Sequence, residues 1–300
     1  MNEQAKALGA WMDAELRTQP DNWQTAVDLV SKVNLPKKGE RLAIIACGTP
    51  SFIGESYAKI REAAGFGETD SFLATEAKLD RPYDRVLAIT RSGTTTEVLE
   101  AIERVRGRIP VTAIVGDPNT PIVDIVDELI PLPFADEQSV VQTRFATTAL
   151  ALLRAHTGEN LDKAIADCAQ VLSEEVDQDL VTAEQIAFLG RDWTIGLAHE
   201  AALKNREASQ SWCESYSAMD YRHGPISIAN KNRATWMLGV APEGLRAQVE
   251  ALDAKFIERP ELDPMASLVA THMVAVERAR HRGLDADKPR GLTRSIILEP

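Results

Sequence analysis

Two stretches of this 300-residue chain carry residue types at spacings suited to chemistry. In the first, Arg85-Val-Leu-Ala-Ile-Thr-Arg-Ser-Gly-Thr-Thr-Thr-Glu97, an apolar run ends in Thr90, Arg91, Ser92, Gly93, Thr94, Thr95 and Thr96. A helical pattern follows, with Val98, Leu99, Ile102 and Val105 three and four residues apart. A strand that enters a hydroxyl-rich turn at a helix start builds an anion site. Free N–H groups and the positive end of the helix dipole converge there, and short hydroxyls add donors. Gly93 lets the backbone approach a ligand and Arg91 adds charge. The plainer alternative is a βα loop whose Ser and Thr cap the helix. The second stretch is Glu200-Ala-Ala-Leu-Lys-Asn-Arg-Glu207, which sets Glu200, Lys204 and Glu207 on one helix face. A polar turn, Met219-Asp-Tyr-Arg-His-Gly-Pro-Ile226, follows it. Carboxylates and His223 are groups that move protons near neutrality. Taken alone, the helix reads first as a solvated face with a Glu-to-Lys pair, and His223 reads equally well as a hydrogen-bonded turn histidine.

Both stretches need elements to hold them. Residues 42–56 form another apolar strand followed by Gly48-Thr49 and a helical pattern. Strands are expected at 41–46, 70–74, 85–90, 111–115 and 128–132, with helices near 51–64, 96–106 and 119–126. Alternation at these lengths reads as an α/β parallel sheet covered on both faces. Two helices are expected over 3–32, meeting at Gln19-Pro20, because proline suits a helix start and breaks an interior. Further helices are expected over Thr143–Thr157 and Leu161–Leu180. From Gln185 the strand-turn-helix pattern restarts, with further runs at Trp212–Tyr216 and Arg233–Val240, and an internal duplication is the economical account. The second copy lacks the hydroxyl cluster, so the anion site belongs to the first.

Composition agrees with a soluble globular protein. Hydrophobic residues make up 44% and charged residues 26%, and the net charge is −12. That acidity argues against a nucleic-acid partner. No apolar run approaches the roughly 20 residues that span a bilayer. The Met1–Trp11 segment lacks the apolar core of a secretory signal, so a cytoplasmic location and no membrane partner are expected. Cys47, Cys168 and Cys213 are scattered, and the five histidines show no paired metal-ligand spacing, so neither a metal nor a cofactor is expected.

The turns at 47–51 and 90–96, with the Ser/Thr-containing segment 137–148, resemble in order the motifs of the sugar isomerase (SIS) phosphosugar-binding domain. The helix Glu200–Glu207 and the His223-Gly-Pro turn are similar to the isomerase halves of glucosamine-6-phosphate synthases, which are tandem SIS proteins, and to related amino-sugar-phosphate deaminases and deglycases. The resemblance implies two doubly wound domains, with N-terminal helices over 1–35 and SIS domains at 36–180 and 181–300. It implies a substrate set of Gly48, Thr49, Thr90, Arg91, Ser92, Gly93, Thr95, Val140 and Gln142. Pro50 departs from it, standing where the family usually has a phosphate-binding serine.

In the family, the glutamate matching Glu207 shuttles a proton between C1 and C2 of the sugar. The histidine matching His223 assists ring opening from the neighbouring subunit, which implies a homodimer. The third catalytic position, a Schiff-base lysine, is Arg294 here. A guanidinium cannot serve as that amine, which leaves stabilisation of an oxyanion as its role and Lys288 as a distant substitute. The expected function is therefore an isomerase, deaminase or deglycase acting on amino-substituted hexose 6-phosphates, with a small-molecule sugar phosphate as partner. The alternatives are a non-catalytic phosphosugar sensor and the isomerase component of glutamine-dependent amination. Neither a glutaminase segment ahead of the tandem unit nor a helix-turn-helix domain beside it is expected.

Overall fold

The computed structural model describes residues 8–298, and the start of the helical segment expected from residue 3 lies outside them. The chain begins with α1 (Ala10–Leu16) and α2 (Gln19–Leu29), with Pro20 at the start of α2. It continues through β1 (Leu42–Ala46), α3 (Thr49–Ala63), β2 (Thr69–Leu73), β3 (Arg85–Thr90) and α4 (Thr96–Glu103). Next come β4 (Val111–Val115), β5 (Glu128–Pro131), α5 (Arg144–His156), α6 (Asp162–Val171) and α7 (Gln178–Thr182). The last part contains β6 (Gln185–Gly190), α8 (Thr194–Ser209), β7 (Trp212–Ser217), β8 (Arg233–Met237), α9 (Leu245–Glu250), β9 (Lys255–Glu258) and α10 (Pro264–His281).

The strands form two parallel sheets, ordered β2-β1-β3-β4-β5 and β7-β6-β8-β9. The second repeats the order of the first four strands of the first, which is the topological trace of the duplication. The central strands are buried throughout, as expected where helices cover both faces of a parallel sheet. On one face of the first sheet, Ala43, Ile45, Val86 and Ala88 pack with Val98 and Ile102 of α4. Residues of the opposite parity, such as Ile44, face α3, whose Gly54 lies so close that an added Cβ would stand 2.9 Å from Ile44.

Compactness divides the chain into two units that are not contiguous in sequence and cut across boundaries at 35 and 180. One holds the second sheet and comprises the segment up to Pro20, Gln138–Thr143 and Asp162–Leu292. The other holds the first sheet and comprises Asp21–Glu137, Arg144–Leu161 and the tail from Thr293. Hydrogen bonds explain the exchange of segments. The amides of Gly9, Trp11 and Met12 donate to Asp285 and Asp287, which anchors α1 in the second-sheet unit. The tail is bonded to the turn after β3.

Two expected helices differ. At 119–126 there is only a 3-10 turn, Pro121–Asp124, in which Ile122 alone is buried. One buried residue gives too little apolar face to support a longer helix. The segment 161–180 is broken into α6 and α7, because Asp177 turns its carboxylate onto the Asp179 amide and starts a new helix. No helix among the described residues is long and apolar enough to cross a membrane.

Candidate active site

The anion turn forms where the first sheet reverses its strand order. β1 and β3 are neighbours, and β2 lies on one side of them with β4 and β5 on the other. Ligands of open α/β sheets bind outside the carboxyl ends of the strands at this point. The carboxyl end of β1 runs into Gly48 and Thr49, and that of β3 into the 90–96 turn. Thr90, Arg91 and Ser92 are buried, and Thr95 has the extended backbone of an N-cap to α4. No side-chain capping bond forms at Thr95, so its hydroxyl is not consumed by its own helix. Gly93 is obligatory: its φ is 64°, and a Cβ would lie 2.1 Å from the Thr120 hydroxyl. Pro50 sits in the first turn of α3, and the Ser51 hydroxyl donates to the Gly48 carbonyl at 2.7 Å.

The tail reaches this turn. Ser92 and Thr94 donate their hydroxyls to Ser295 Oγ at 3.1 and 3.0 Å. The Arg91 guanidinium donates to the Arg294 carbonyl at 3.0 Å. Arg294 itself makes a two-pronged contact with Asp136, at 2.6 and 2.8 Å, and donates to the Glu137 carbonyl. Its fork is thus held by a carboxylate in the same compact unit as the hydroxyl turn. Lys288 is exposed and belongs to the other unit.

The second-sheet unit holds the proton-transfer candidates. Lys204 is almost fully buried and donates to Glu207, whose side chain stays 20% accessible. Glu200 is completely buried and accepts or shares a proton with His272 of α10 at 2.9 Å. A solvated helix face is therefore excluded for Glu200 and Lys204. His223 ends the 3-10 turn Asp220–His223 and is exposed. Val140 and Gln142 also fall in this unit, where the Val140 amide donates to the Asp287 carbonyl at 3.2 Å and the Gln142 side-chain oxygen is buried. Of the residues expected to bind substrate, Val140 and Gln142 thus lie in the second-sheet unit and the others in the first-sheet unit.

Burial pushes the Cys47 thiol up, with the neighbouring Glu97 carboxylate adding to the shift against a bond from the Ala74 backbone. A raised thiol is a poor nucleophile, so Cys47 behaves as a packing residue. Among the described residues no three His, Cys, Asp or Glu side chains converge on a metal position. The contacts of Ser295 with the turn, of Asp136 with Arg294 and of His272 with Glu200 had no signal in the sequence, since each joins residues far apart along the chain. Replacing both Ser92 and Thr95 with Ala should weaken hexose 6-phosphate binding by about 1–2 kcal/mol per hydroxyl, the scale of charge-assisted hydrogen bonds. Calorimetry reads this, and unchanged affinity would remove the turn from the site.

No protein-family model matches the chain. It is 25% identical over 368 aligned residues to a glutamine–fructose-6-phosphate aminotransferase (isomerizing) of Nostoc sp., covering all of this chain and 58% of that protein. The chain thus spans little more than half the length of such relatives. Its fold is similar to that of a glucosamine-6-phosphate deaminase from Thermotoga maritima, with TM-score 0.82, 22% identity and coverage of 96% and 100% of the two chains. It is also similar to the C-terminal domain of a glucosamine-fructose-6-phosphate aminotransferase from Francisella tularensis, with TM-score 0.73, 21% identity and coverage of 93% and 98%. These likenesses to solved structures show the fold, two parallel sheets flanked by helices that are consistent with tandem SIS domains.

Proposed function

We propose that this protein acts on amino-substituted hexose 6-phosphates, with Glu207 moving a proton between C1 and C2 of the open-chain sugar. The turn 90–96 holds the phosphate. Glu207 removes the C2 proton of the 2-amino aldose and returns it to C1, which leaves an imine at C2. Water hydrolyses that imine to the ketose phosphate and releases the amine. The substrate's own nitrogen serves as the imine nitrogen, so no lysine is needed and Arg294 is compatible with the chemistry. His223 assists ring opening, and Arg294 stabilises the developing oxyanion. The observation that carries this reading is the Lys204–Glu207 pair: a carboxylate still reachable from solvent, held in place by a buried ammonium on the same helix.

A second reading, a non-catalytic phosphosugar-sensing protein, draws support from the guanidinium at 294, where the family has a reactive amine. Complementation separates the two. The family resemblance sets His223 across a subunit boundary, and a two-fold dimer is the commonest way to achieve that. Mixing Glu207→Gln protein with His223→Ala protein under subunit exchange should restore activity on glucosamine 6-phosphate that neither variant shows alone. Confirmed exchange without recovered activity would count against a shared site.

A further inference from the structure

The tail presents three oxygens to the three kinds of donor that the anion turn offers. Ser295 Oγ lies 3.1, 3.0 and 3.4 Å from the hydroxyls of Ser92, Thr94 and Thr95. The Arg294 carbonyl accepts from Arg91 at 3.0 Å, and the Ile296 carbonyl accepts from the Thr96 amide at the start of α4 at 3.2 Å. Hydroxyls, guanidinium and helix-terminal N–H are the donors that a phosphate group would engage, and here each already has an oxygen. A single Ser295 oxygen is shared by three hydroxyls, which are then engaged on the side where a phosphate oxygen would bind.

We propose that the C-terminal segment is an internal pseudo-ligand that competes with substrate phosphate for the 90–96 turn, a proposal that rests on the phosphosugar reading of that turn. Its hold is polar, through these bonds and the Arg294–Asp136 ion pair. Ile296, Ile297 and Leu298 remain 49%, 67% and 57% exposed, so little apolar burial fastens them. One further bond, from the Leu298 amide to the Thr96 hydroxyl at 2.9 Å, closes the contact. A phosphate makes charge-assisted bonds to the same donors, which are stronger than those of a neutral hydroxyl and two carbonyls. Substrate therefore displaces the tail, and apparent affinity is reduced by the fraction of molecules in which the tail is docked. Arg294, carried on the tail, is repositioned in the same event.

The test is the sign of one change. In the full chain, Ser295→Ala should bind inorganic phosphate and glucose 6-phosphate about three- to ten-fold more tightly by calorimetry, since it removes the competitor's hydrogen bonds. Saturating phosphate should also speed amide hydrogen exchange in the peptide containing Leu298. Equal or weaker binding by Ser295→Ala, or slower exchange of that peptide with phosphate, would overturn the proposal and make Ser295 a donor that closes over ligand. No binding by either protein would overturn the phosphosugar reading and this proposal together, a pattern distinct from binding by both.

Discussion

If the proposed chemistry holds, Glu207→Gln should lower kcat on an amino-sugar phosphate by at least about 100-fold, the usual contribution of a positioned general base. The substitution keeps volume and shape and removes only the group that accepts the proton. It also strips Lys204 of its counter-charge. That ammonium is 1% accessible and donates to Glu207. A buried charge without a partner is costly, so the variant also melts earlier. Turnover is therefore read well below its Tm, with circular dichroism confirming the fold. A folded Glu207→Gln protein that keeps more than a tenth of native kcat would exclude Glu207 as the base.

Arg278→Leu is expected to destabilise the second-sheet unit by about 1–3 kcal/mol for each buried acceptor left without a donor. Arg278 is wholly buried on α10, and its partners are backbone carbonyls and a hydroxyl rather than a carboxylate. Its Nε donates to Ser211 Oγ at 2.9 Å, and its terminal nitrogens donate to the carbonyls of Leu180 and of Ala183, the latter at 2.9 Å. Those carbonyls end α7, where a cation also suits the helix dipole. Burial holds the guanidinium below its ordinary range, with Arg282 pulling the same way and Cys213 opposing. Leucine would fill part of the space and leave the carbonyls without donors. Urea unfolding with an unchanged m-value measures the loss, and a change below 1 kcal/mol would mean that water or a neighbour takes over the role.

The first sheet was legible because its central strands, such as Leu42–Ala46 and Val111–Val115, are short unbroken apolar runs between turn residues. β9 was not: Lys255-Phe-Ile-Glu258 has one fully buried side chain and charges at both ends, as befits an edge strand. α10 escaped for the opposite reason. Apolar residues surround it and bury even His272 and Arg278, so it shows no clean amphipathic stripe. The 90–96 turn was readable as a strand-to-helix turn since its hydroxyls are contiguous in sequence. Its contact with Ser295 was not, because Ser295 lies 203 positions from Ser92 and nothing local marks their meeting. Helical spacing put Glu200 and Glu207 on one face, yet spacing says nothing of depth. Packing of α10 on α8 buries Glu200 against His272 and leaves Glu207 partly open.

Product release by the purified protein bears most directly on the proposed chemistry. Incubation with glucosamine 6-phosphate and with fructosamine 6-phosphates, followed for ammonia, free amino acid and hexose 6-phosphate, reads the reaction and its leaving group at once. The expected result is an amine and a hexose 6-phosphate formed in equal amounts by the native protein and by none of its Glu207→Gln counterpart. Intact substrate across the whole panel, from native protein that binds these sugars, would contradict catalysis and leave a phosphosugar-binding protein.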